Sequence, residues 1–331
     1  MERIVFRRLL PAVLFAVACW FVLAMGRQAG WSDVGARLAS ASPALIGVTI
    51  AFNLSTYLLW TARWSAVMGG EGPIPYFPAL RALLASVFIG TVTPFARSFG
   101  GLVRAGYLAG PADRSVGRLY GPTVVDQLGY SVMSILLGAC TIPAAAVQAG
   151  KAGGRAGPIL AVAGVAALIG GLLSVRAVRE RIARWLRRRV PMLADGVEGA
   201  VVSAKSALAR PATWAAIPIG SAAVYSANVC AITAAGAAIG APVTLAAAAA
   251  AWSLGSIAGV ASGTPGGAGT TEAAAILPMI AMGIPAGDAL ATMLLARAIQ
   301  YGGAILLGGG SLLTLHRRPG RDPGTATRSA R

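Results

Sequence analysis

Apolar residues in this chain gather in blocks of about 20, separated by shorter stretches rich in arginine, glycine and proline. A helix needs about 20 apolar residues to cross ~30 Å of hydrocarbon, so the blocks predict transmembrane helices. The pattern places spans at about 9–25, 43–68, 120–145, 158–175, 212–239 and 288–315. Two further apolar stretches are interrupted. One, at 79–92, is too short to cross comfortably; it ends at Thr93-Pro94, and Gly100-Gly101 follow. The other, at 245–261, ends at Thr264-Pro265-Gly266-Gly267 and resumes as a short apolar piece at 273–282. Proline lacks the N–H that an interior helix position must donate, so both stretches are predicted to break at these points.

The polar segments decide which side is which. Segment 176–210 holds nine Arg or Lys. Within it, Val178, Ile182, Trp185, Leu186 and Val190 recur at helical spacing against arginines. That is the pattern of a helix lying on the membrane surface; a solvated loop is the alternative. The N-terminus, this segment and the tail are all basic. The positive-inside rule puts the three on the cytoplasmic side of the cell membrane. Were 79–92 a full crossing, the nine-cation segment would land outside. The expected fold is therefore an all-α polytopic integral membrane protein with six full spans and two re-entrant helical hairpins. Residues 79–110 would enter from the cytoplasm and 245–284 from outside. An eight-span variant, in which the second pair crosses fully, also keeps both termini inside. Residues 1–315 read as one transmembrane domain with a basic interfacial linker at 176–210, and 316–331 as a disordered basic tail. Arg3, Arg7 and Arg8 precede a first apolar run that ends without a small-x-small cleavage site. The first helix is therefore expected to be retained.

Composition narrows the class. The chain is 56% hydrophobic and 12% charged, with a mean hydropathy of +0.70. A soluble domain carries about 25% charged residues, so too little polar surface is available to face water on all sides. The net charge of +17 would suit nucleic acid, but the arginines sit in short loops and termini. There they set orientation. Cys19, Cys140 and Cys230 each fall in an apolar block with no metal spacing, and His316 is the sole histidine. They read as packing residues, and no metal or cofactor is expected.

The two interrupted stretches look like copies. Their prolines, Pro94 and Pro265, are separated by roughly half the length of the chain. Each stretch lies between a long span before it and another after it, giving halves at about 43–145 and 212–315 in opposite orientation. Paired breaks in matching positions of inverted halves point to a transporter's central site. Non-helical backbone at membrane depth must be buried in protein or reached by water, so the breaks predict a lined cavity. Half-helix N-termini there would offer free N–H groups to an anion such as phosphate. The glycines around Pro265 (Gly263, Gly266, Gly267 and Gly269) would let backbone approach a ligand closely. Ionisable residues inside apolar segments are functional candidates by default. That singles out Arg81, Arg104, Asp126, Glu272 and Arg297. Arg104 and Glu272 follow the two breaks at similar offsets, and Glu272–Arg297 is a natural pair, whether structural or functional. Arg81 and Arg63, near predicted span ends, are expected to reach out to the interface. Asn53 and Asn228, in corresponding spans, are expected to hydrogen-bond between helices.

The run Gly263-Thr264-Pro265-Gly266-Gly267-Ala268-Gly269-Thr270-Thr271-Glu272-Ala273, with Arg297 one helix later, resembles the signature of the lysylphosphatidylglycerol synthetase transmembrane-region family, a flippase-like domain. Ala62-Arg63-Trp64 resembles the end of that family's second helix. Pro94 through Gly100-Gly101 to Arg104-Ala105-Gly106-Tyr107-Leu108 resembles its first break. The resemblance covers nearly the whole chain and implies movement of a lipid between leaflets, as the homologous domain does with aminoacylated phosphatidylglycerol. Threonines stand at Thr91 and Thr93 where the family often has asparagine, and Asp126-Gln127 replaces its usual acidic-arginine pair. The tail has no room for a soluble aminoacyl-transferase domain, so lipid aminoacylation is not expected. The reading is a transporter of an anionic lipid or lipid-linked carrier, its head group held near Pro94, Gly100, Gly101, Arg104, Asp126, Pro265, Gly266, Gly267, Gly269, Glu272 and Arg297. The alternatives are a membrane-embedded enzyme acting on lipid head groups, or a non-transporting partner of a lipid-modifying enzyme. No His, Cys or paired carboxylates converge to favour the enzyme.

Overall fold

The computed structural model describes residues 20, 23–24, 26–27, 30–72, 74–93, 96–151, 194–262 and 264–316. Among them every regular element is helical: α1 (Trp31–Ala39), α2 (Pro43–Met68), α3 (Tyr76–Val92), α4 (Ala96–Ala112), α5 (Val116–Lys151), α6 (Ala194–Ala209), α7 (Pro211–Ala238), α8 (Leu245–Ser262), α9 (Thr270–Ala281), α10 (Ala286–Gly303) and α11 (Gly309–His316). The predicted span at 158–175, the surface helix at 178–190, Pro94, Gly263, most of the predicted span at 9–25 and the tail beyond His316 lie outside the described residues.

Among the described residues, three stretches are long and apolar enough to cross a bilayer: Pro43–Met68, Pro211–Ala238 and Ala286–Leu315. The α2 helix has 26 residues and α7 has 28. Both exceed the roughly 20 that a crossing requires. Pro43 and Pro211 open these helices in the first turn. There the missing N–H has no helical partner to lose. The predicted boundaries of both helices match to within a residue. The last span is less regular than expected: α10 passes through a π-helical turn at Ala304–Gly308 before continuing as α11.

The interrupted stretches are helical hairpins. The arms α3 and α4 have 17 residues each and pack on one another. The arms α8 and α9, of 18 and 12 residues, are joined by the single turn Pro265–Gly267 and also pack together. Gly255 permits that contact, since a Cβ there would lie 2.9 Å from the Thr271 carbonyl oxygen.

The sequence order long helix, hairpin, long helix occurs twice, as α2, α3–α4, α5 and as α7, α8–α9, α10. The first helices of the two sets, α2 and α7, form the most extensive helix pairing among the described residues. One apolar core gathers the second set, with Ile232, Ala248, Ile276, Met279 and Leu290 buried. A second gathers the first set around Trp64, Met68, Leu83, Leu108 and Leu119. The expected linker is not loop throughout. Its last part is helix α6, which lies along α5 so closely that a Cβ on Gly121 would meet the Ala200 carbonyl oxygen at 2.2 Å.

Candidate functional site

The two glycine pairs are not equivalent. Gly100 and Gly101 sit inside helix α4, beyond the first break, whereas Gly266 and Gly267 form the second break itself. Gly266, Gly267 and Gly269 all have positive φ, with Gly266 at φ 57 degrees. Only glycine adopts this left-handed backbone without strain. The close approach these glycines allow is to the protein rather than to an open space. A Cβ on Gly267 would lie 2.5 Å from Thr271 Oγ1 and 2.9 Å from Gly259 Cα. One on Gly266 would lie 2.8 Å from the Tyr301 ring and 3.3 Å from the Thr91 carbonyl oxygen. That last contact joins the end of α3 to the second break, so the two hairpins meet there.

The second break is tied down by its own chain. Ser262 Oγ lies 2.9 Å from both Thr264 Oγ1 and Thr270 Oγ1, and Thr270 Oγ1 donates to the Gly267 carbonyl at 3.1 Å. Arg297, 5% exposed, reaches across from α10. Its Nε donates to Glu272 Oε1 at 2.7 Å, and its Nη2 to the Gly266 carbonyl at 2.9 Å and to the Tyr301 hydroxyl at 2.6 Å. Its Nη1 donates to Gln300 Oε1. The expected Glu272–Arg297 pair is therefore present, and Arg297 also holds the carbonyl released by the break. No side chain caps α9, and Glu272 lies in its first turn. The carboxylate there sets a negative charge against the positive end of the helix.

The first hairpin faces a different cluster. Trp60, Arg63 and Trp64 share one face of α2, at the i, i+3, i+4 spacing of helical neighbours. Arg63 does not reach the interface as its position near the helix end suggested; it is 3% exposed. Its Nε donates to Asp126 Oδ1 at 2.7 Å and its Nη2 to Oδ2 at 3.3 Å. Such a two-pronged, charge-assisted pair is strong enough to turn the side chain inward. Nη1 donates to Ser221 Oγ on α7, and the guanidinium lies 4.6 Å from the Tyr130 ring centre. Gly220 makes room for the Arg63 stem, since a Cβ there would come within 2.7 Å of Arg63 Cγ. Arg104 of α4 approaches the same carboxylate from the other side, with Nη1 4.0 Å from Asp126 Oδ2. It is 1% exposed, and its guanidinium lies 4.9 Å from the Trp60 ring and 5.1 Å from the Trp64 ring. With the Gln127 amide turned so that its oxygen faces the donors, that oxygen accepts from Arg104 Nη2 at 2.9 Å and from the Gly101 N–H at 3.3 Å.

Beside Arg297 and Gln300 lies a small cavity of about 20 Å³. That is room for a water molecule. Asn53, Asn228, Trp252, Thr271, Arg297 and Gln300 are among its lining. Asn53 and Asn228, expected to hydrogen-bond between helices, both line this space, and Asn228 Nδ2 donates instead to the Val224 carbonyl of its own helix at 2.8 Å. Of the remaining expectations, Arg81 is half-buried in the second turn of α3, and Cys140, expected inside, is exposed. Among the described residues no group of His, Cys, Asp or Glu could hold a metal.

Fold and site together define a polytopic helical membrane protein whose two broken hairpins each rest against buried arginine. Residues 8–308 match the family described as the lysylphosphatidylglycerol synthase TM region, and the chain belongs to it. No curated protein matches the chain closely enough to count as a relative. The family links it to lipid metabolism or transport.

Arg104, Asp126, Glu272 and Arg297 were legible as buried charges in apolar segments. Trp60, Trp64, Gln127, Gln300 and Tyr301 were not, although an arginine with aromatic residues at helical spacing, as in Trp60-x-x-Arg63-Trp64, could have drawn them in.

Proposed function

We propose that the protein is a lipid transporter of flippase type, carrying an anionic lipid or lipid-linked carrier between leaflets of the cell membrane, with both termini in the cytoplasm. The observation that carries this reading is the pair of interrupted helical hairpins, whose ends meet where Thr91 approaches Gly266. Both arms of the first hairpin, with 17 residues each, and the second arm of the other, with 12, are short. A crossing takes about 17–25, so the arms of the first hairpin stand at the lower limit and the 12-residue arm falls below it, which supports a hairpin that enters and returns. The charges behind them are costly in lipid, which makes them functional candidates by default. The head group would pass along the hairpin ends while its acyl chains stay in lipid, so no cofactor or covalent step is needed.

The test is leaflet exchange. Purified protein is placed in liposomes carrying fluorescent lipids that differ only in head group, and dithionite reports which labels reach the outer face. Faster exchange of anionic than of zwitterionic label is expected. Exchange no faster than in empty liposomes for every head group would end the transporter reading.

A further inference from the structure

Hydrogen-bond and charge accounting separates the two clusters. At the second break, Glu272 balances Arg297, whose Nε, Nη1 and Nη2 all donate to acceptors within the chain; the buried atoms left without partners there, Glu272 Oε2, Thr271 Oγ1 and Trp252 Nε1, surround a charge that is already balanced. At the first, two arginines share one carboxylate, and Arg63 holds both of its oxygens. Among the described residues this leaves one positive charge without a counter-charge. Arg104 Nη1 has no hydrogen-bond acceptor although it is buried, and Trp60 Nε1, from the ring beside the guanidinium, is a second buried donor without one. Buried charges are normally paired, and buried donors normally find acceptors. An uncompensated cation with an orphan donor of its own, beside a second on Trp60, is what an anionic oxygen would satisfy.

We propose that Arg104, flanked by Trp60 and Trp64, is the docking site for a phosphate oxygen of the head group, and that the second break serves only to close the structure. A phosphodiester carries a single negative charge, which would bring the cluster to neutrality. Arg104 presents one guanidinium nitrogen, Nη1, without an acceptor, with the indole N–H of Trp60 as an auxiliary donor, while the two rings hold the cation in place. The proposal deepens the lipid-transport reading above and rests on it for the source of the phosphate.

The test uses the full chain in detergent, with the thermal midpoint followed against three probes: dioctanoylphosphatidylglycerol, dioctanoylglycerol and inorganic phosphate. Ligand that binds the folded state raises the midpoint with concentration. The phosphodiester lipid should stabilise the protein and dioctanoylglycerol should not. Arg104→Met, which keeps a straight apolar stem between the rings, should weaken the response roughly tenfold or more, the usual consequence of losing a hydrogen bond to a charged group. Trp60→Phe keeps the ring, removes the orphan donor and should weaken it by a smaller factor. Gln300→Met, at the second break, should respond as the parent does. Equal stabilisation by dioctanoylglycerol would overturn the proposal. So would a parental response in Arg104→Met, or a loss confined to Gln300→Met. If inorganic phosphate alone gives the whole Arg104-dependent response, the site stands but its ligand is the free ion. Leaflet exchange keeps the two ideas apart: binding that depends on Arg104 without exchange in the parent would sink transport and keep the site. Parental exchange in Arg104→Met would keep transport and sink the site.

Discussion

Removing Arg297 should destabilise the protein through two separable losses. The first is at Glu272, which is 6% exposed and would be left as a buried carboxylate without its cation. Stranding one member of a buried pair costs about 3–5 kcal/mol. The second is at the Gly266 carbonyl, which would lose its donor at 2.9 Å. A buried acceptor left open costs about 1–3 kcal/mol. Glu272→Gln alone strands the arginine, which keeps its bonds to Gly266, Gln300 and Tyr301. In the double variant Glu272→Gln, Arg297→Gln no charge remains, so only the carbonyl loss and some packing persist. The double variant should therefore be more stable than the sum of the single losses requires, by at least about 2 kcal/mol, within the coupling range of residues in direct contact. At about 2 °C per kcal/mol for a chain larger than a typical domain, the two losses together, about 4–8 kcal/mol, should lower the thermal midpoint of Arg297→Gln in detergent by roughly 8–16 °C. The double variant should recover several degrees of it. The midpoint is read by size-exclusion chromatography after heating. Losses that simply add would show Glu272 and Arg297 to be energetically uncoupled, and an Arg297→Gln midpoint at the parental value would show that neither loss costs stability; either would refute the argument.

Further outcomes follow from the same geometry. Asp126→Asn leaves Arg63 and Arg104 facing one another without a carboxylate. Its loss of midpoint should exceed that of Arg297→Gln, and a smaller loss would show that another group neutralises the arginines. Gly267→Ala forces a Cβ onto a left-handed backbone and into Thr271, whereas a Cβ on Gly100 meets nothing within 4 Å. The first change should cost about 1–3 kcal/mol and the second should be neutral or stabilise by up to about 1 kcal/mol; equal midpoints would contradict the distinction between break and helix. Single cysteines at Arg3, Val190 and Thr325, in a background lacking Cys19, Cys140 and Cys230, should resist an impermeant thiol reagent until the membrane is opened. Labelling of position 190 from outside would reverse the proposed orientation.

The amino-acid sequence by itself determined the class of the protein and the boundaries of α2, α7 and α8. Blocks of about 20 apolar residues cannot be satisfied in water, and the prolines that open α2 and α7 mark their starts on the chain. It also marked Pro265-Gly266-Gly267 as a break, because no other residue tolerates that backbone at so many neighbouring positions. Matching Gly100-Gly101 to Gly266-Gly267 failed for a physical reason: a glycine pair reads the same whether it serves a turn or packs inside a helix, and only the backbone angles separate the two. The fate of the charges was likewise a tertiary matter. Position near the end of α2 suggested that Arg63 would reach out to water. It is instead drawn inward by Asp126, distant in sequence on α5, through a gap that Gly220 leaves on α7. Sequence spacing showed which residues were charged, and the packing of four helices decided that Arg297 is fully engaged while Arg104 is not. That difference lies in which acceptors come within hydrogen-bonding distance, and it is set only when α2, α4, α5 and α10 are brought together.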